Sequence, residues 1–167
     1  MVNGRPAVLF ERRYAHSIER VWRAVTDPGE MRSWFPSTVA FEPAAGGTVT
    51  FSGDPNVADQ SGTVIAYEPP RIFSFTWGDN EIHLSLESDG GAAARFSLTN
   101  VLAAENEAAR NAAGWDVCLA ELDKLLGGAQ AHGPHSADAA DWRACYDAYV
   151  KSRLPSGAPF PGQAESA

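Results

Sequence analysis

Four imidazoles, His16, His83, His132 and His135, and two thiols, Cys118 and Cys145, are the side chains of this 167-residue chain best suited to metal binding or nucleophilic attack. Their spacing argues against both. His132-Gly133-Pro134-His135 is an HxxH motif, but in a loop sequence rather than on a helix, and no third ligand is fixed nearby. Asp138 and Asp141 have ligand chemistry, yet read better as helix-start residues. The cysteines match no CxxC or zinc spacing and build no disulfide framework. No GxSxG is present, and no histidine falls where it would activate Cys118, which reads as a small core residue beside Leu119. His83 alternates onto the polar face of a strand. Glu42, Glu68, Glu81 and Glu87 lie near strand ends or on polar faces and pair into no general acid and base. Gly46-Gly47 is a turn rather than a phosphate loop, because neither a helix start nor a lysine follows. The expectation is no catalytic residue, no metal and no cofactor.

Large rings are the chemistry this chain does have. Trp22, Trp34, Phe35, Phe51, Phe73, Phe75, Trp77, Phe96 and Trp115, with Leu84 and Leu119, are candidate lining for an apolar cavity. The same residues can close up as plain core, and pattern alone does not choose. Trp34-Phe35 precedes Pro36 at a helix-to-strand corner, a place to flank a cavity mouth. Tyr67, out of register with Val64 and Ala66, is expected on the outside.

These residues need elements to hold them. Residues 8–15 suit a strand. Ser17 can cap a helix over 18–26, whose Ile18, Val21, Trp22 and Val25 form one stripe. Asp27-Pro28-Gly29-Glu30 starts a second, short helix that carries Met31, Trp34 and Phe35 until Pro36 stops it. The period then becomes two, with strands near 38–43, 47–52, 61–68, 71–78, 81–88 and 93–101. The links Ala45-Gly46-Gly47, Glu68-Pro69-Pro70-Arg71, Gly78-Asp79-Asn80 and Asp89-Gly90-Gly91 are short enough to demand antiparallel neighbours. Phe73, Phe75 and Trp77, then Ile82, Leu84 and Leu86, then Phe96 and Leu98 share one face. Ser74, His83, Glu87, Arg95 and Thr99 take the other. A long helix over 105–126 carries Ala108, Ala112, Trp115, Leu119, Leu122 and Leu126 on one stripe and ends at Gly127-Gly128. The result is α+β: seven antiparallel strands around a long C-terminal helix, with two short helices after the first strand.

Composition narrows the partners. With 44% hydrophobic and 20% charged residues the chain is globular, not disordered. A net charge of −8 repels phosphate backbones and anionic lipid, so neither nucleic acid nor a membrane is expected. The start shows no secretory h-region and no stretch is long enough to span a bilayer, which reads as cytoplasmic. Residues 129–167 form an extension: a linker over 127–136, a short helix near 138–152 with Trp142, Tyr146 and Tyr149 on one face, and a Pro/Gly-rich end from Leu154 expected to fray. That helix packs on its own domain or on a partner copy, with self-packing favoured.

A resemblance adds to this. Glu11-Arg12-Arg13-Tyr14-Ala15, Ile18 to Pro28 (IERVWRAVTDP) and Met31-Arg32-Ser33-Trp34-Phe35 resemble the opening of the SRPBCC (START-like) superfamily. They are most similar to its bacterial branch related to the activator of the heat-shock-protein-90 ATPase (Aha-type). Ala45-Gly46-Gly47, Gly62-Thr63-Val64 ahead of Glu68-Pro69-Pro70-Arg71, Phe75-Thr76-Trp77, and Gly114-Trp115 continue the likeness over about residues 8–127. The resemblance implies a helix-grip fold over 1–128 with a cavity between sheet and C-terminal helix. Members take lipids, polyketides, hormones or aromatic compounds, some are cyclases, and the eukaryotic co-chaperones bind a protein. Arg12 matches the family's strand arginine, which points into the cavity or, as favoured here, makes a structural salt bridge. The expectation is therefore a binding protein for a hydrophobic or aromatic small molecule. The alternatives are an Aha-like module for a chaperone or other protein, self-association, and a cyclase-like enzyme.

Overall fold

The computed structural model describes residues 1–160. Strand β1 (Ala7–Tyr14) is followed by helices α1 (Ile18–Thr26) and α2 (Pro28–Met31). Six strands come next: β2 (Thr38–Phe41), β3 (Thr48–Ser52), β4 (Gln60–Glu68), β5 (Ile72–Trp77), β6 (Asn80–Ser88) and β7 (Ala94–Val101). A 3-10 turn at Glu105–Glu107 leads into α3 (Ala108–Leu126), and α4 (Trp142–Lys151) lies in the extension. The sheet is seven-stranded and antiparallel in the order β1-β7-β6-β5-β4-β3-β2. The N-terminal strand β1 thus pairs with the last strand, β7, and forms one edge of the sheet, β2 forms the other, and α3 lies along the apolar face.

Local chemistry accounts for the helices. Ser17 accepts the Arg20 N–H at α1, and Asp27 accepts the Glu30 N–H at α2, as side-chain caps do. Helix α2 ends at Met31, four residues short of the expected stretch. The chain then turns, and Trp34 donates its indole N–H to the Ala24 carbonyl at 2.9 Å. At the end of α3, Gly128 takes φ +80°, and a His16 ring nitrogen meets the Leu126 carbonyl at 2.6 Å.

Alternation sets the two faces as expected, with two exceptions. A β-bulge between Val64 and Ala66 inserts one residue, so Tyr67 pairs with Phe73 and turns inward. Its ring packs on Trp22 at 5.5 Å, Phe41 at 5.6 Å and Phe73 at 5.6 Å. The strict period of two placed Tyr67 outside, and the bulge overturns that. Ser74 is on the outer face but buried. It bonds His83 Nδ1 at 3.0 Å, His83 Nε2 meets Glu81 at 3.1 Å, and Glu81 pairs with Arg5. This chain of groups secures the N-terminal segment on the sheet.

Opposite charge also ties β1 to α3. Arg12 Nε lies 3.7 Å from Asp123, a structural bridge, and Tyr14 donates its hydroxyl to the same carboxylate at 2.7 Å. Burial, then the hydrogen bond to Asp123 and its charge, push the Tyr14 phenol well above the ordinary tyrosine range. A group whose folded pKa is raised contributes stability in full below its unfolded value, near pH 10, and loses it as pH rises toward the folded value. Phenolate absorbance should therefore emerge for Tyr14 only together with unfolding in an alkaline titration. A Tyr14 phenolate formed in the intact fold below pH 11 would contradict this.

The extension is anchored, not loose. Glu121 on α3 is fully buried, and its Oε2 accepts the His132 N–H at 3.0 Å and the Gly133 N–H at 3.3 Å. Its other oxygen pairs with Lys124, which also donates to the Asp138 carbonyl at 3.2 Å. Helix α4 begins at 142, with Asp141 as its cap, later than expected because Asp138 bonds His132 instead. α4 rests on α3 of the same chain. Tyr149 is half-buried there, and burial, reinforced by the neighbouring Asp116 carboxylate, raises its phenol. The expected fraying fails over 154–160: Ala109 N–H donates to Pro155 O at 2.9 Å, and Arg110 donates to the Pro159 carbonyl. Phe160 packs edge-on to Trp142 at 5.2 Å and to Tyr146 at 5.1 Å. The rest of that expectation, on 161–167, lies outside the described residues.

Candidate functional site

The interior between sheet and α3 is closed by rings. Phe35 lies at its centre, 5.5 Å from Trp77, 5.8 Å from Trp115, 6.2 Å from Phe51 and 6.2 Å from Phe75. Phe51 and Phe75 meet at 5.6 Å, and Phe73 and Phe75 at 4.9 Å. Ring pairs at these separations leave no room for a ligand among them. Trp34, Phe35, Phe51, Phe73, Phe75, Leu84, Phe96 and Leu119 are all buried in this core. Trp22 is half-buried against Tyr67 at another end of it.

Open space begins where the ring cluster stops. A cleft of about 420 Å³ is lined by Trp77 and Trp115, the two candidate rings that face it. Its walls come from five parts of the chain. The β3–β4 connection, with the first residue of β4, supplies Asp54, Asn56, Val57 and Gln60, and the β5–β6 end supplies Trp77 and Asn80. The first half of α3 adds Arg110, Asn111, Gly114, Trp115, Val117 and Cys118. Pro36 and the extension's Pro134, His135 and Trp142 complete it. A cavity of this size with tryptophan walls suits a small organic molecule.

Why these groups converge follows from the register. β7 turns Phe96, Leu98 and Asn100 inward, and Asn100 is fully buried. It accepts the Trp115 indole N–H at 3.0 Å and donates to the Val101 carbonyl, which fixes the Trp115 ring at the cleft floor. Trp77, 5.8 Å from Trp115, is differently served: its indole N–H is buried without a partner. Gly62 lets β4 pass close beside it, since a Cβ there would meet the Thr76 carbonyl at 2.3 Å.

The polar groups of the cleft are unequal. Arg110 is engaged by Glu107 at 3.0 Å and by Pro159. Asn80 accepts the Ala103 N–H. Cys118 is buried, and that burial, with the charge of Asp54 behind it, pushes the thiol far above the ordinary cysteine range. It is held as a thiol, not as a nucleophile. The two histidines of the HxxH diverge: His132 pairs with Asp138, while His135 reaches the Pro36 carbonyl at 3.0 Å. Alternation could have marked Asn100, which shares the parity of Phe96 and Leu98. Nothing in the local sequence marks Asp54, Asn111 or His135 as neighbours of Trp115, because they come from distant turns and the extension.

The family profile described as activator of Hsp90 ATPase homolog 1-like protein matches residues 15–127. Among solved structures, EF2215 from Enterococcus faecalis, a conserved protein of unknown function, superposes with TM-score 0.71 at 18% identity, covering 92% of this chain and 87% of that one. The crystal structure of CalU16 from Micromonospora echinospora gives TM-score 0.67 at 22% identity, covering 87% and 84%. DynU16, of the dynemicin biosynthetic locus, gives 0.63 at 20% identity, covering 76% of this chain and 50% of its own. At these identities the likeness shows the fold: α+β, helix-grip. No curated protein matches the sequence. Among the described residues no helix is long and apolar enough to cross a membrane.

Proposed function

The chain belongs to the activator of Hsp90 ATPase homolog 1-like family of the START-like superfamily, and from that premise we propose that it is a small-molecule binding protein whose ligand lies in the cleft beside Trp77 and Trp115. One observation carries this reading: packing is complete among the inner rings but stops at those two tryptophans, leaving about 420 Å³ bordered by tryptophan rings and a few polar side chains. A hydrophobic or aromatic body stacked there removes ring surface from water, at about 25 cal/mol per Å². Neighbours bearing the names CalU16 and DynU16 share the architecture, which suits ligand binding or cyclase-like chemistry.

The cleft is weaker support for catalysis. Its thiol is held protonated, Arg110 is already neutralised by Glu107, and the Ser74-His83-Glu81 chain lies on the opposite face of the sheet with Ser74 buried. A protein-docking role lacks support among the described residues: the exposed large apolar residues Met1, Leu9, Ile65 and Val150 are scattered over the N terminus, β1, β4 and α4.

Native mass spectrometry of the freshly purified protein tests the reading. The expected result is an adduct lost on denaturation or, for protein purified empty, saturable uptake of a neutral naphthyl probe that changes tryptophan fluorescence. Absence of both would overturn it.

A further inference from the structure

Resting on the cleft reading, one wall residue narrows the ligand's chemistry. The side chain of Asp54 is only 7% exposed, yet it borders the cleft. Its Oδ1 accepts the Asn56 N–H at 2.8 Å. Among the described residues no arginine or lysine pairs with it. The single cationic candidate is His135, whose Nε2 stands 3.8 Å away and is already directed to the Pro36 carbonyl at 3.0 Å. Arg110, the other basic group on the wall, has its charge taken up by Glu107. Cys118, the remaining titratable neighbour, is a neutral thiol. A carboxylate this far out of water without a cation is costly, and the group that would offset the cost is missing from the chain.

The walls around it fit the same requirement. Trp77, Trp115 and Trp142 border the cleft, and tryptophan is the best side-chain ring for an organic cation at short range. The net charge of −8 draws cations and repels anions at longer range. We infer that the cleft takes an organic amine: its ammonium group sits against Asp54, and its apolar or aromatic body lies along Trp77, Trp115 and Trp142. Neutral aromatic molecules occupy the same space more weakly, and anionic ones of equal shape are excluded.

Three probes of one shape separate these cases: 2-naphthylmethylammonium, 2-naphthylmethanol and 2-naphthoate, titrated calorimetrically into the full chain at about 0.15 M salt. The ammonium should bind about tenfold more tightly than the alcohol, and the carboxylate more weakly than both. Asp54→Asn keeps an acceptor for the Asn56 N–H, so the turn is retained, and a melting curve checks the fold. In that variant the ratio of alcohol to ammonium Kd should fall to about two or less. Glu87→Gln, on an exposed stretch of β6, should leave the ratio near ten. Equal binding of ammonium and alcohol, tightest binding of the carboxylate, or a preference that survives Asp54→Asn would overturn the amine assignment while leaving a ligand cleft in place. Failure of all three probes to bind would remove the cleft reading and the assignment together.

Discussion

Trp115→Ala is expected to lower the unfolding free energy by about 4 kcal/mol or more and to abolish uptake of a neutral naphthyl probe. The ring is 2% exposed and packs on Phe35 and Trp77, so truncation leaves a large hole that the rigid sheet beneath cannot refill. It also orphans Asn100, whose side-chain oxygen accepts the indole N–H in a fully buried position. Urea unfolding measures the first effect, with an unchanged slope showing that two-state behaviour is kept. Trp115→Phe separates the causes, since it retains a ring but removes the donor. It should cost roughly 1–3 kcal/mol while keeping part of the probe affinity. A Trp115→Ala variant as stable as wild type, or one that binds the probe unchanged, would contradict the placement of this residue at the cleft floor.

Glu121→Ala should be nearly as damaging, at about 3–5 kcal/mol, for an electrostatic reason. The carboxylate is fully buried and serves three donors: Lys124 and the His132 and Gly133 amides. Its loss strands two backbone N–H groups and the lysine at once. Because residues 132–135 carry Pro134 and His135 onto the cleft wall, the variant should also loosen the site. Hydrogen exchange over residues 130–142 should accelerate by at least tenfold, while the β6–β7 hairpin stays protected. Glu121→Gln keeps one acceptor for the amides and should fall between wild type and Glu121→Ala. If exchange over 130–142 is unchanged in Glu121→Ala, the extension is held by its ring cluster and not by this carboxylate.

The extent to which these features were legible varies with how local their causes are. The caps Ser17 and Asp27, the glycine-bearing links and the period of two are interactions among residues a few positions apart, so the element order and the sheet's two faces follow from reading along the chain. Tyr67 escaped because a bulge adds one residue without a compositional mark. The segment 154–160 escaped for another reason. A Pro/Gly-rich stretch with no period has the composition of a loose end, yet it supplies carbonyls to donors at the start of α3.

The candidate ligand residues divide in the same way. Alternation identifies inward rings, and all the strand-borne ones turn inward, but inwardness does not distinguish a ring that meets another ring from one that meets open space. That depends on how far α3 stands from the sheet at each point, a quantity set by the summed volumes of facing side chains. Around Phe35 the volumes match and the interior is solid. At Trp77 and Trp115 they do not, and loop and extension residues from five parts of the chain border what remains. Periodicity is a property of neighbours in sequence, so it specified the fold. The cleft and its buried Asp54 are properties of neighbours in space, which exist only once the sheet has curved, α3 has docked and the extension has folded back across its first half.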